Sequence, residues 1–162
     1  MYRRIAGVFA ATAAALAVGI GPALATSPHF INTSTSGVNN NGSLTVNWKE
    51  AGLGDNQKIT YNLSANSTAE YACINHGGNH PQASNKETVS GPVSATGTFD
   101  SGKNGNINGS LTVQPPGPGS FSCPGNQELV LAMVSYTNVT LTDTTNSLSE
   151  TLGTFSRTFF NV

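Results

Sequence analysis

The chain has 162 residues, of which 37% are hydrophobic and only 9% are charged, and its formal net charge is −1. No basic stripe could neutralise the phosphates of a nucleic acid, and no polybasic segment could bind an anionic membrane surface. The composition therefore excludes nucleic-acid binding and electrostatic membrane binding as functions.

The first 25 residues carry the pattern of a secretory signal peptide. Arg3 and Arg4 precede an apolar run, residues 5–24, and the segment ends in Ala-Leu-Ala at residues 23–25. A positive start, a short apolar middle and a small-residue end are the features of a cleaved secretion signal. We expect cleavage after Ala25 and a secreted, extracellular domain, residues 26–162, without a membrane span.

The predicted mature chain owes its polarity to uncharged side chains. Asparagine, serine and threonine supply 53 of its 137 residues. Its five basic residues and eight carboxylates give a formal net charge of −3. A surface of hydroxyls and amides depends little on pH or salt, which suits an extracellular protein.

Residues 26–42 are polar and rich in turn-forming side chains, so no strand is predicted there. Beyond them, apolar and polar residues alternate with the two-residue period of half-buried strands, and residues 129–134 are apolar on both faces, as in a central strand. No window of 12 residues in the mature chain has helical periodicity. We therefore predict one all-β, immunoglobulin-like sandwich of about seven to nine strands. The alternating stretches are residues 44–48, 59–63, 93–99, 111–113, 139–141 and 152–159.

One hexapeptide occurs twice. Asn-Gly-Ser-Leu-Thr-Val stands at residues 41–46 and again at residues 108–113. The repeat is typical of a duplicated hairpin in two halves of a pseudo-symmetric sandwich. It is equally typical of chance, because an Asn-Gly turn followed by a β-prone segment suits any hairpin. Both interpretations stay open at this stage.

Cys73 and Cys123 are the only cysteines. In an oxidising compartment an even pair most simply forms one disulfide. Closing a loop of about 50 residues stabilises a fold by roughly 4 kcal/mol in the chain-entropy model. Two free buried thiols are the alternative.

The segment after Cys73 contains two histidines, His76 and His80, among glycines and before a proline. A His-x₃-His pair could bind zinc or copper, with Glu70 or Cys73 as a further ligand. Glycine and proline predict a loop, in which this spacing does not hold the two rings on one face. We therefore predict no metal site, and we count His76 and His80 as candidate binding-loop residues.

Two further segments predict irregular structure. Residues 100–109 alternate oxygen-bearing side chains with glycine, but they lack the carboxylates of a calcium loop, so a glycine-rich hairpin turn is expected. Residues 114–120 contain Pro115, Pro116 and Pro118, which exclude a strand interior. This proline segment is either a stiff crossover between sheets or a polyproline recognition element.

The parts of a catalytic site are missing from the sequence. No Gly-x-Ser-x-Gly elbow occurs, and no local motif selects a carboxylate pair for glycoside hydrolysis. We expect a non-enzymatic protein without a cofactor.

Two resemblances bear on the fold. The triplet Tyr71-Ala-Cys73 is similar to the Tyr-x-Cys of the F strand in immunoglobulin domains, which implies an immunoglobulin-like architecture. The mature chain, from the repeated hexapeptide to residues 155–160, resembles small secreted proteins of unknown function from high-GC Gram-positive bacteria. That second resemblance implies a bacterial, secreted protein and no particular activity.

A third, weaker resemblance concerns residues 100–113, in which an Asn-Gly turn leads into Ser-Leu-Thr-Val. This segment resembles a hairpin of the neocarzinostatin-type antibiotic-carrier apoproteins. The resemblance implies an immunoglobulin-like sandwich that holds a small apolar ligand in a cleft. That family has two short-range disulfides, whereas this chain has one long-range cysteine pair, and no binding residues are carried over.

The sequence thus predicts a secreted binding protein whose recognition surface is formed by loops 75–86 and 114–125. The partner could be a cell-wall polymer, an extracellular protein or a small ligand. Polymer or protein binding predicts exposed aromatic residues, with Tyr61, Tyr71 and Tyr136 as candidates. A small-apolar-ligand carrier predicts an apolar cleft between the sheets, and an extracellular hydrolase predicts polar residues that converge in a pocket.

Overall fold

The computed structural model of the protein describes residues 27–75 and 85–162. Residues 1–26, with the predicted signal peptide, and residues 76–84 lie outside this part of the chain. The described residues form seven strands and one short 3₁₀ turn, Gly102–Asn104, and they contain no α-helix. The strands are β1 His29–Val38, β2 Leu44–Ala51, β3 Lys58–Asn75, β4 Lys86–Asp100, β5 Ile107–Val113, β6 Gln127–Asp143 and β7 Leu148–Thr158.

Two antiparallel sheets pack as a sandwich. Sheet A has the order β1-β2-β5, and sheet B has the order β4-β3-β6-β7. A constant-type immunoglobulin domain has its fourth strand in the sheet of the first, second and fifth strands. Here β4 lies beside β3 in the other sheet, and the remaining strands keep the immunoglobulin arrangement. The prediction of an all-β sandwich with one disulfide is confirmed.

The core forms where the alternating patterns predicted it. In β2, and in β3 as far as Ala69, every second side chain is buried, including Trp48 and Tyr61. The rings of Trp48 and Phe99 meet edge to face with centroids 5.2 Å apart, and Tyr61 lies against both. The buried core residues are Val38, Leu44, Val46, Trp48, Leu53, Ile59, Tyr61, Leu63, Ala65, Ile107, Val113, Val134, Tyr136, Val139 and Leu141.

Strand β1 was not expected, because residues 26–42 are so polar. It pairs with β2, and its register shifts at Ile31 and again between Thr35 and Val38. Ile31 lies in the first irregularity and points outward, with 52% of its surface exposed. An edge strand with two bulges and mostly hydroxyl side chains has no two-residue apolar period, which explains why the pattern missed it.

Two other expectations need correction. Residues 129–134 and 139–141 are not separate strands but parts of the continuous β6, whose register shifts at Asn138, where φ is 53°. Residues 100–109 are not a hairpin turn. They cross from β4 in sheet B to β5 in sheet A through the 3₁₀ turn and the left-handed Gly105.

The two copies of the repeated hexapeptide pair with each other. Strands β2 and β5 are antiparallel neighbours, and their register sets Leu44 opposite Val113 and Thr45 opposite Thr112. The hydroxyls of Thr45 and Thr112 are 2.8 Å apart. The last three residues of the two copies therefore form a local two-fold element in sheet A, rather than parts of two separate hairpins.

Candidate functional site

Sheet B is longer than sheet A and extends past it at one end, which we call the loop end. Strands β3 and β6 have 18 and 17 residues, whereas β2 and β5 have 8 and 7. The turn between β1 and β2 is tied to β6 by Tyr136, whose hydroxyl donates to the main-chain oxygen of Gly42 at 2.7 Å. Beyond this point, sheet A no longer covers the inner face of sheet B.

The proline segment covers this uncovered face. The hydroxyl of Tyr71 donates to the main-chain oxygen of Pro116 at 2.8 Å. The Cys73–Cys123 disulfide, which confirms the predicted pairing, fixes the same loop to the end of β3. These contacts give the segment a packing role at the loop end, where Pro115, Pro116 and Pro118 are all half-buried.

Gly42 shows how closely the parts of the loop end approach one another. Its φ is +84°, and a Cβ atom there would lie 2.5 Å from Leu131 Cδ2 and 3.3 Å from Pro115 Cγ. Only glycine adopts this backbone conformation freely and leaves room for both neighbours. The Asn-Gly turn of the first hexapeptide therefore joins the proline segment to β6.

His76 and His80 lie outside the described residues. The base of their loop is held by amide groups: Asn85 Nδ2 donates to Gln127 Oε1, and Gln127 Nε2 donates to Asn75 Oδ1, each at 3.1 Å. Among the residues that the structure describes, no three His, Cys, Asp or Glu side chains come together as a potential metal site.

A groove opens at the loop end, at the seam between the two sheets. It has a volume of about 440 Å³ and combines an apolar floor with one cation and two amides. We call it the Arg157 groove. Its walls are Asn40, Asn41, Val130, Leu131, Arg157, Phe159 and Phe160.

Arg157 is held in a fixed position within this groove. Its Nη1 donates to the main-chain oxygen of Val38 at 2.9 Å, and its guanidinium carbon lies 5.1 Å from the centre of the Phe159 ring. A guanidinium has five N–H donors in a planar fork, and the bond to Val38 uses one of them. Neither ion pair among the described residues includes Arg157; they are Lys58–Asp100 and Lys86–Glu70. The group can therefore bind a carboxylate with little rearrangement.

A polar concavity adjoins the groove on the other side of Arg157. It has a volume of about 550 Å³ and is formed chiefly by the β1–β2 turn. Asn40 and Asn41 line both spaces, so amide groups continue from one to the other. A ligand in the Arg157 groove thus has apolar contact on one side and hydrogen-bonding groups on the other.

The outer face of sheet A carries a third concavity, of about 560 Å³. Six of its nine lining residues carry polar side chains, among them Asn47, Lys49 and Asn108, and of the two aromatic residues there Trp48 is only 4% exposed. Ligand sites usually combine apolar walls with a few fixed polar groups. The Arg157 groove meets that description better than this open sheet face.

The three tyrosines proposed as surface aromatics do not form a surface. Tyr61 and Tyr136 are fully buried, and Tyr71 is half-buried under the proline segment. Burial raises the pKa of Tyr136 to about 12 and also raises the pKa of Tyr71. These hydroxyls remain protonated at ordinary pH and serve as donors within the fold.

A buried acidic pair lies at the opposite end of the sandwich. Glu50 and Asp143 are both 0% exposed. Burial raises the pKa of Glu50 to about 7, the Asp143 carboxylate adds to the rise, and the Tyr61 hydroxyl opposes it. Asp143 accepts hydrogen bonds from the main-chain nitrogens of Thr145 and Asn146 at 2.8 and 3.0 Å. Because both acids are enclosed, a substrate could reach them only if the sheets separated.

The outer face of sheet B carries threonine, serine and asparagine side chains that bond to one another across strands. Thr60 and Thr98, and likewise Thr142 and Ser149, have hydroxyl oxygens 2.9 Å apart. These pairs order a polar surface without using charge, which accounts for the composition of the chain.

No protein-family model, curated protein or solved structure matches the chain. Within residues 27–75 and 85–162, no helix has the length and apolar character needed to cross a membrane. The class that the fold defines is thus an all-β, two-sheet sandwich with one disulfide.

The proline segment, predicted as a binding loop, lies at the loop end, whereas Arg157 was not predicted as a site residue. Pro115 lies beside Gly42, which follows the groove residue Asn41, and Pro116 accepts a hydrogen bond from Tyr71. Arg157 and Phe159 were seen only as parts of a strand pattern. The available signal was that Arg157 is the single arginine beyond the predicted signal peptide and stands two residues before a phenylalanine.

Proposed function

We propose that this protein is a secreted, non-enzymatic binding domain whose ligand binds in the Arg157 groove. The observation that carries the proposal is the fixed guanidinium of Arg157 beside the apolar floor formed by Leu131 and Phe159. Loops held by a rigid sandwich are a common place for recognition. The disulfide strengthens this framework, since it fixes the proline segment next to the groove.

Secretion is part of the proposal. It is supported by the signal-like residues 1–25 and by the Cys73–Cys123 disulfide, a bond typical of proteins that fold outside the cytoplasm. The signal pattern and the resemblance to small proteins of high-GC Gram-positive bacteria favour a bacterial source. The form that binds the ligand is then residues 26–162.

The chemistry of the groove defines the class of ligand. Apolar walls favour a hydrocarbon or aromatic group, and the planar fork of Arg157 favours a carboxylate. Asn40 and Asn41 can donate hydrogen bonds to carbonyl oxygens at the rim. The ligand is therefore an amphipathic carboxylate, whereas a carrier of purely apolar ligands would have no use for the cation.

The test is a nuclear magnetic resonance titration of disulfide-bonded, ¹⁵N-labelled residues 26–162. Hydrocinnamate combines an aromatic ring with a carboxylate, and its amide serves as the neutral control. We expect hydrocinnamate to shift the amide signals of Leu131 and Phe159, and we expect the neutral amide to bind far more weakly. Arg157→Gln should lose the response, and Lys103→Gln, which removes an exposed cation in the distant 3₁₀ turn, should keep it.

Two results would overturn the proposal. One is a titration in which neither Leu131 nor Phe159 responds, or in which Arg157→Gln binds as well as the parent. The other is turnover of a substrate from a panel of esters, glycosides and peptides, because turnover would make the protein an enzyme.

A further inference from the structure

Among the residues that the structure describes, no strand pairs with the outer side of one stretch of β6 beside the Arg157 groove. The pairing of β6 with β7 starts at Met133 and Thr158, whereas β6 itself starts six residues earlier, at Gln127. The chain after β7 makes two more bonds to β6, from the nitrogens of Phe159 and Phe160 to the Ala132 oxygen. It then leaves this edge.

The course of the last residues shows where they go. Lys86, at the start of β4, donates from Nζ to the main-chain oxygen of Val162 at 2.6 Å. Because β4 is at the far edge of sheet B, the last residues cross the sheet instead of continuing along β6. Within residues 27–75 and 85–162, the edge of β6 at residues 128–131 is therefore open, at the place where a longer β7 would continue.

The main chain of Leu129 points toward this open edge. Cys73, its partner on β3, donates its N–H to the oxygen of Asn85 on the β4 side at 3.1 Å. The N–H and C=O of a strand residue point to the same side, so both groups of Cys73 point toward β4. Cys73 and Leu129 are therefore a pair that exchanges no hydrogen bonds. The N–H and C=O of Leu129 consequently point away from β3, where an added strand would meet them.

Two other edges of the sandwich are interrupted. Pro92 lies on the edge strand β4, and a bulge at Ile31 interrupts the edge strand β1. Proline and bulges are common protections against the pairing of exposed edges. Residues 128–131 of β6 contain neither, and Leu129 has 37% of its surface exposed. The stretch thus combines unpaired main-chain groups with an exposed apolar side chain.

We propose that an extended peptide segment binds here as an added strand, with an apolar side chain in the Arg157 groove and a carboxylate on Arg157. This inference rests on the proposed function and narrows its ligand to a peptide. Strand addition takes affinity from main-chain hydrogen bonds and specificity from side-chain pockets. Charge complementarity supports the carboxylate, since Arg157 is exposed and has no ion-pair partner in the described residues. Glu128 does not oppose it, because alternation puts its side chain on the other face of β6 from Leu129.

The probe is the capped peptide acetyl-Asp-Val-Thr-Val-Thr-Val-Asp-amide. An aspartate at each end allows either strand direction to bring a carboxylate to Arg157. One control peptide has asparagine in place of both aspartates. A second control carries N-methyl groups on alternate residues, which block strand pairing along one edge of the peptide. It is made in both phases, so that each edge is blocked in one of the two peptides. We expect the probe to slow hydrogen exchange at the Leu129 amide and to shift its signal. Each control should bind about tenfold more weakly or worse, as expected for the loss of one or two good hydrogen bonds.

Two variants of the protein at Leu129 also test whether the peptide binds by strand addition. Leu129→Pro removes the edge-facing N–H without removing a donor from the β3 pairing, and Leu129→Ala keeps that N–H. The proline variant should lose the peptide and keep hydrocinnamate, whereas the alanine variant should keep both. Retention of hydrocinnamate also shows that the proline variant is folded.

The possible failures are distinguishable. If the parent binds hydrocinnamate but not the peptide, or if the N-methylated peptides bind as well as the probe, strand addition is wrong and the proposed function stands. If neither compound binds at the groove, both proposals fall.

Discussion

Arg157 and Val38 join the two sheets at the loop end. The guanidinium of Arg157, at the end of β7 in sheet B, donates to the main-chain oxygen of Val38, at the end of β1 in sheet A, at 2.9 Å. The same side chain lies over the Phe159 ring and forms a wall of the groove. One residue thus closes the seam of the sandwich and supplies the cation of the candidate site.

Arg157→Gln should therefore lower stability as well as binding. The variant loses a charge-assisted hydrogen bond and a cation–π contact at a partly exposed site, which together correspond to about 1–2 kcal/mol. Urea unfolding at neutral pH measures the change, with Lys103→Gln as the matched loss of one positive charge. Equal stability of the two variants would mean that Arg157 is not a structural link between the sheets.

The buried Glu50 predicts that stability falls as pH rises. Its pKa is about 7 in the folded protein against an ordinary 4.5, so the folded state retains a proton that the unfolded chain has already released. The contribution of this proton to the free energy of unfolding is complete below pH 4.5 and declines as pH rises through 7. It amounts to about 3 kcal/mol in total. Glu50→Gln, which cannot ionise, should show a much flatter profile in urea unfolding between pH 4.5 and 8. Parallel profiles for the variant and the parent would contradict this.

Gly109 predicts a sharp effect of one added methyl group. A Cβ atom at this position would overlap the ring of Trp48, and φ is not in the left-handed region, so only packing opposes the change. Gly109→Ala should destabilise the fold by about 1–3 kcal/mol, as overpacked cores do. Gly117→Ala, in the proline segment with no atom within 4 Å of its added Cβ, is the control and should stay close to the parent. The comparison fails if the two alanine variants unfold at the same urea concentration.

The disulfide should be a main source of stability. It closes a loop with a sequence separation of 50, so replacing Cys73 and Cys123 by serine should lower the free energy of unfolding by about 4 kcal/mol. Mass spectrometry of the parent with and without reduction checks that the bond is present in the protein used. A double variant as stable as the oxidised parent would show that packing of the proline segment suffices without the bond.

The alternating stretches predicted the core strands because their inward positions carry large apolar side chains, as Trp48 in β2 and Tyr61 in β3 show. Strand β1 has inward hydroxyls such as Thr33, and its bulges reverse the inward and outward positions. The register shift at Asn138 likewise reverses the inward and outward positions in the middle of β6, so this single strand has the sequence pattern of two strands. A period of two can be read only where the register is continuous.

The candidate site could be predicted only in part. Prolines and cysteines are visible in a sequence, and the proline segment and the disulfide lie at the loop end, whereas their part in binding stays a prediction. Arg157 forms its site with Val38 and Asn41, which are more than 100 residues away along the chain. A contact of this kind depends on how the two sheets meet, and no local spacing of residues records it. The free edge of β6 likewise depends on where β7 ends.

The most direct test of ligand binding at the Arg157 groove is the pattern of nuclear Overhauser effects between hydrocinnamate and the protein. We expect contacts from the aromatic protons of the ligand to the methyl groups of Leu131 and Val130 and to the ring of Phe159, all of which disappear in Arg157→Gln. Contacts to the outer face of sheet A around Trp48 instead, or none at all at saturating ligand, would contradict it.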